Sequence, residues 1–320
     1  MDRQLLAIER DRRAIESVAI RRVNYAMRAA KRYALQAVAA GHDFDRAADF
    51  ARTAATDRIA PALMLARLRG MRRTQLEHAR ATGQTVTLGA LNLARDDEDE
   101  KRERDAIVAL LLLLGLSEPQ RQRIAQDARK RAETVGRQMT RRLPEKLASV
   151  RVAQAADAVN ETAALPAGYG IDVDLKPGVT MPPGMRQQVA RVFVVTGLSD
   201  PNPWSVSNWI ETGVVNEYER GRWDATRHPA VADALWGYRF DAVLDDRTSN
   251  ICRSLHNLRM EKDDPEVRQW SPPLHFNCRS TLIPVWQSSE IKEPTPYTPA
   301  LPDATWSRFE NDVEKFRRYL

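Results

Sequence analysis

Both cysteines of this chain, Cys252 and Cys278, and two of its five histidines, His256 and His275, fall within residues 245–285. Their order is Cys-x3-His, a long charged insert, then His-x2-Cys. Thiolate and neutral imidazole are preferred zinc ligands. Two short ligand pairs separated by a loop can close into one tetrahedral site if a turn forms at each pair. Three readings of these residues stand together. They form a structural zinc site tying two loops, or Cys252 and Cys278 form a disulfide under oxidising conditions, or they are buried thiols and polar histidines with no joint role.

The same residues test enzymatic arrangements. A zinc deaminase carries a glutamate two positions after its histidine and a Pro-Cys-x-x-Cys element. Here Phe276 and Asn277 follow His275 and there is no second cysteine pair, which excludes that chemistry. A metallohydrolase requires an open coordination position and a general base. Asp245, His256 and His275 could supply a nuclease-like set, although their spacing does not single them out. Neither a glycine-rich phosphate loop nor a Gly-x-Ser-x-Gly element is present.

Positioning these residues requires a scaffold. Residues 236–243, WGYRFDAV, are rich in strand formers, and residues 282–286, LIPVW, offer a return strand whose proline suits a sheet edge. The fold class expected is mainly α, with a helical N-terminal region and a small α+β C-terminal domain whose short antiparallel sheet carries the Cys/His loops. Residues 1–40 and 45–82 read as helix, the second kinked or divided at Pro61 and Gly70. The apolar run 106–116 is too short to span a bilayer and reads as a buried helix. The acidic run 96–100 reads as a solvated helix start.

Ser117 is the expected N-cap of the next helix, with Pro119 in its first turn. Ile124, Ala128, Ala132, Val135, Met139 and Leu143 form a narrow apolar seam along it. Arg129, Lys130, Arg131, Arg137 and Arg141 lie on its other faces and are candidates for contact with DNA phosphates. A solvated surface helix paired to acids is the alternative. Residues 186–223 read as helix broken at Gly197, with a short strand over 192–195 as alternative. Near the C-terminus Trp306, Phe309, Val313 and Phe316 line an amphipathic helix after a proline-rich arm, and are candidate partner contacts.

The chain has 320 residues, a net charge of +6 and a pI of about 9.5. That charge permits nucleic-acid contact without demanding it. No signal peptide and no membrane span are expected.

The order IETGVVNEYERGR, YRFDAVLDDRTSNIC, LHN and SPPLHFNCRSTLIPVW resembles the phage Mu F-like minor head proteins, the phage head morphogenesis family, over about residues 205–287. Asp245, Arg247, Thr248, Cys252, Leu255, His275, Asn277, Cys278 and Arg279 match the family pattern one by one. Asn257 departs from it, standing where the family turn commonly has glycine. Asparagine tolerates the left-handed conformation, so the turn can survive. The matched trio is Cys252, His275 and Cys278, with His256 the candidate fourth ligand.

The resemblance implies a structural virion component of the phage head, assembled in the bacterial cytoplasm. It implies association with portal or major capsid protein, and possible contact with packaged double-stranded DNA. The alternative is a metal-dependent nuclease or toxin-like enzyme using the Cys/His loops. The expected organisation is a helical region at 1–150, a loop-rich connector at 151–185, a Mu F-like α+β domain at 186–290, and an arm with a terminal helix at 291–320.

Overall fold

The computed structural model describes residues 3–39, 44–82, 98–147, 185–198, 204–287 and 296–318. Four helices lead the chain: α1 (Arg3–Ala39), α2 (Phe44–Ala81), α3 (Glu98–Leu113) and α4 (Glu118–Thr140). After a helical turn over 143–147 come α5 (Met185–Val195), α6 (Trp204–Thr226) and the short α7 (Pro229–Ala232). The sheet region follows as β1 (Leu235–Asp241), α8 (Asn250–Leu255), β2 (Arg259–Glu261), α9 (Glu266–Gln269) and β3 (Thr281–Trp286). Helix α10 (Asp303–Arg317) closes the described chain. The mainly α architecture with a small C-terminal antiparallel sheet is the one the sequence indicates.

The chain groups into two compact units. The first takes Met1–Val18, Pro61–Ala128 and Glu211–Leu320; the second takes Ala19–Ala60 and Arg129–Ile210. Residues 148–184, which hold most of the expected connector, lie outside the described residues, as do residues 83–97.

Helical periodicity explains the long elements. Leu5, Ile8, Ile15 and Val23 of α1 are buried at the spacing read from the sequence. All six residues of the α4 seam are buried. Ser117 begins α4 as expected: its Oγ and backbone N–H both meet Gln120 Oε1, at 2.9 and 2.8 Å.

Three details differ from expectation. Helix α2 runs unbroken through Pro61. An internal proline loses one backbone hydrogen bond, and the burial of Ile59, Ala62, Leu63 and Leu65 around it offsets that loss. The apolar run within α3 is not buried all round. Ala106 and Leu110 face inward, one turn apart, whereas Val108, Leu112 and Leu113 are exposed. Finally, residues 192–195 are helix rather than strand, and Gly197, at φ +71°, ends the segment.

In the first unit α2 and α6 cross in close contact at two glycines. A Cβ at Gly70 would stand 2.0 Å from the Tyr218 carbonyl oxygen. One at Gly221 would stand 1.9 Å from that of Arg67. Alongside the crossing runs a buried charge network. Arg67 bonds Asp224 at 2.7 Å and Asp127 at 3.0 Å. Arg222 bonds both oxygens of Glu77, at 3.2 and 3.0 Å.

The sheet order is β2-β1-β3, all antiparallel, with Tyr238 opposite Met260 on one side and Pro284 on the other. β3 is an edge strand, where the missing N–H of Pro284 does no harm. The short strand β2 has no signal in the sequence reading. It lies in the charged insert between the two ligand pairs. The unit's core gathers Tyr238, Phe240, Leu255, Leu258, Met260, Trp270, Leu274 and Leu282, with Cys252 and Cys278 among them.

Candidate metal centre

Two loops leave the sheet and meet at the cysteines. The first begins after β1 with a turn held by its own side chains. Asp245 N–H donates to Thr248 Oγ1 at 2.8 Å, and Arg247 N–H donates to Asp245 Oδ1 at 2.9 Å. The Thr248 hydroxyl donates to the Val243 carbonyl. Ser249 then caps α8, its Oγ accepting from Cys252 N–H at 3.3 Å. This cap turns Cys252 into the core.

The second loop, residues 271–280, carries a cis Pro272–Pro273 bond and ends through Asn277 at φ +59°. Asn277 N–H donates to Thr212 Oγ1 of α6 at 3.4 Å. Arg279 forms a two-pronged pair with Asp245, at 2.7 Å on Oδ2, joining one loop to the other just outside the cysteines. This guanidinium holds the Asp245 carboxyl well below the usual carboxylate range. From α1, Arg12 donates to the carbonyls of Arg279 at 2.7 Å and Ser280 at 3.1 Å. Its buried side chain thereby fixes the exit of the second loop.

Within this frame the sulfurs of Cys252 and Cys278 lie 3.8 Å apart, and Cys252 Sγ lies 3.1 Å from His275 Nε2. Cys252, His275 and Cys278 lie close enough together to hold a metal ion, their ligand atoms all within 4.8 Å of one another. Both cysteines are buried and His275 is half-buried. His275 Nδ1 stands 2.8 Å from the Phe276 carbonyl oxygen, which can only accept, so Nδ1 carries the proton. That leaves Nε2 as the nitrogen facing the sulfurs, where it carries a proton toward the Cys278 thiolate or, once that proton is lost, a lone pair for a metal. Ser249 Oγ lies 2.7 Å from the same nitrogen.

The two thiols share one proton, and Cys278 is the anionic end of the pair. The Cys252 thiol donates to the Cys278 sulfur and, aided by His275, holds Cys278 well below its ordinary value against the opposing effect of burial. Cys252 is pushed up in return by that bond and by burial. Burial alone would lower His275, but its hydrogen bond with Cys278 lifts it above its usual value.

The fourth sequence candidate, His256, is not part of this group. Its Nδ1 accepts from Ala242 N–H at 3.2 Å and lies 3.2 Å from Asp241. The residue ends α8, and the Asn257 turn beside it sends its ring along β1 instead of toward the sulfurs. Asn257 itself adopts φ +71°, as the left-handed turn requires.

The other candidate residues fall elsewhere. The stripe Trp306, Phe309, Val313 and Phe316 packs on its own unit and is not a free face. Phe309 and Val313 join the core, Trp306 packs against it, and Phe316 meets Phe276 edge-on at 5.2 Å. Arg317 adds bonds to the carbonyls of Arg268 and Gln269, at 2.8 and 2.7 Å. On α4, Arg129 is exposed and paired with Asp57 at 2.6 Å and Glu133 at 3.5 Å. Arg131 is half-buried, while Lys130, Arg137 and Arg141 are exposed.

Two contributors escaped the sequence reading. Ser249 was findable, since a serine just before a helix is a cap signal. Arg12 was not, because it reaches carbonyls 267 and 268 positions away and carries no local mark.

A scan of family models matches the same stretch. Residues 207–283 match the family described as Phage Mu protein F like protein. The Mu F-like segment thus begins inside α6, takes in β1, the first loop, β2 and the second loop, and ends inside β3. Neither the curated proteins nor the solved structures gave a match. Among the described residues no helix is long and apolar enough to cross a membrane.

Proposed function

We propose that this chain is a structural protein of a bacteriophage head. It acts by binding, and its Mu F-like unit is clamped by a structural zinc ion. One observation carries the reading. The residues matched to the family are engaged in joining two loops to each other. Asp245 and Arg279 join outside, Cys252, His275 and Cys278 join inside, and Thr248 and Asn277 set the turns. Two thiolates on a tetrahedral zinc stand roughly 3.8 Å apart, from bond lengths of about 2.3 Å. The sulfurs here are 3.8 Å apart.

The partners are portal or major capsid protein, and the protein resides in the virion after assembly in the host cytoplasm. Duplex DNA is a further contact through Lys130, Arg137 and Arg141, weakened by salt as counterion release requires. The protein is not an enzyme.

Co-sedimentation with portal and capsid proteins of the same phage tests the binding role, and elemental analysis of the purified protein tests the metal. Binding and about one zinc per chain are expected. Metal-dependent plasmid degradation that is lost in His275→Ala would overturn the reading in favour of a nuclease.

A further inference from the structure

The three ligands leave one position of a tetrahedron unassigned. Structural zinc sites use four protein ligands, whereas a site with three keeps the fourth position for water or another donor. The surroundings of the cluster decide between these cases. His256 is turned toward Ala242 and Asp241. Ser249 is the nearest other side chain, but its Oγ already accepts from the Cys252 N–H as the α8 cap. A serine hydroxyl is also outside the usual zinc ligand set.

The cluster is closed on one side and open on the other. Cys252 and Cys278 are buried in the core. His275 and Ser249 instead form part of the wall of a cleft of about 400 Å³ between α8, the second loop and α10. Arg308 and Asp312, one turn apart on α10, line the same cleft. Neither the Asp312 carboxylate nor any other acid among the described residues joins the three ligand atoms. His275 is thus the one ligand of the three that lines the cleft, and both sulfurs lie behind it.

We propose that this fourth position is open and exchangeable. It is filled by water at rest and by a small monodentate anion when one is supplied. Arg308 offers a positive charge to such an anion, and Asp312 offers an acceptor for a proton of the resting water. Two thiolates and a neutral imidazole bring the zinc site to zero net charge, so water and a single anion are both tolerable fourth donors. The inference rests on the zinc reading proposed above and extends it. The clamp holds the loops with three ligands and keeps one position for a donor from outside the chain.

The test uses the full chain loaded with cobalt(II) in place of zinc, whose visible absorption reports its ligands, titrated with thiocyanate. A saturable shift of the visible bands is expected, both in the parent and in His256→Ala. Cobalt uptake with a spectrum that thiocyanate leaves unchanged would overturn the open position while leaving the clamp intact. A shift absent from the parent but present in His256→Ala would also overturn it, because His256 would then have filled the position. Failure of the folded protein to take up cobalt or zinc would overturn the clamp and this inference together.

Discussion

Replacing Arg222 with methionine is the sharpest perturbation of the unit that carries the Mu F-like segment. Arg222 and Glu77 are both nearly solvent-free, at 2 and 3 % exposure. The guanidinium bonds both oxygens of Glu77 and also the Leu282 carbonyl at 3.3 Å, on the strand that follows the second loop. Burial opposes its charge, and Glu77 and Glu219 together more than restore it. Removing the cation leaves Glu77 as a buried carboxylate without its partner, which costs about 3–5 kcal/mol. Folded domains are held by roughly 5–15 kcal/mol, so this single change would consume a large share of the unit's stability.

The structure also sets an asymmetry. Glu77→Met should cost less, about 1–3 kcal/mol, because Arg222 retains the charge of Glu219 and the Leu282 carbonyl. The double variant should cost clearly less than the sum, with a coupling of about 2 kcal/mol. A well-packed apolar pair removes both charges at once, and Glu219 keeps Arg12 at 3.6 Å and the Thr281 hydroxyl at 2.6 Å. Thermal and urea unfolding followed by tryptophan fluorescence is a suitable assay. Trp223, Trp236, Trp270, Trp286 and Trp306 all belong to this unit. A loss below about 1 kcal/mol in Arg222→Met, or strictly additive single changes, would refute the idea that this network holds the sheet to the helices.

Three further outcomes are expected. Gly221→Ala should cost about 3 kcal/mol in thermal unfolding, since its Cβ would stand 1.9 Å from a backbone oxygen that no side-chain movement can relieve; an unchanged melting temperature would show that α2 and α6 can part freely. Burial lifts the Glu16 carboxyl to about 7, against the opposing charge of Arg12. The folded state then holds a proton that the unfolded chain has lost, so this contribution is full below about pH 4.5 and lost as pH rises through 7. Glu16→Gln should therefore flatten that part of the pH–stability curve and be the more stable protein at pH 8, by at most about 3 kcal/mol; a parallel pair of curves would contradict it. Deleting residues 303–320 should destabilise the unit by about 3 kcal/mol or more, because Phe309 and Val313 lie in its core; a truncated chain that melts like the parent would return the aromatic stripe to the partner-binding role first read from its pattern.

The parts legible in the sequence were those fixed by neighbours along the chain. The α4 seam, the Ser117 cap, the β1 strand and the edge placement of Pro284 each follow from local spacing or from one residue's backbone chemistry. The Asn257 turn belongs with them, since asparagine is among the few residues that reach φ +71° at low cost. What failed was of another kind. His256 sits four residues from Cys252 and looks like a ligand by count, yet the direction of its ring depends on how α8 ends and on what β1 offers it. The terminal stripe has the same periodicity whether it packs on its own unit or on another chain, so periodicity alone could not choose.

The reach of Arg12 to the second loop shows the limit most plainly. Position 12 reads as one more arginine on a basic helix, and its role exists only because α1 passes beside the end of the loop that carries Cys278. In α1 the flanking Arg13 is exposed while Arg12 is almost fully enclosed. A positive charge placed there is kept because it meets two backbone carbonyls and Glu219 at 3.6 Å. The carbonyls it satisfies directly follow Cys278, so the first helix of the chain helps to set where one sulfur stands. The Mu F-like motif therefore does not hold its own geometry alone. Its second loop is fixed from outside the matched residues, by a helix that no motif would have linked to it.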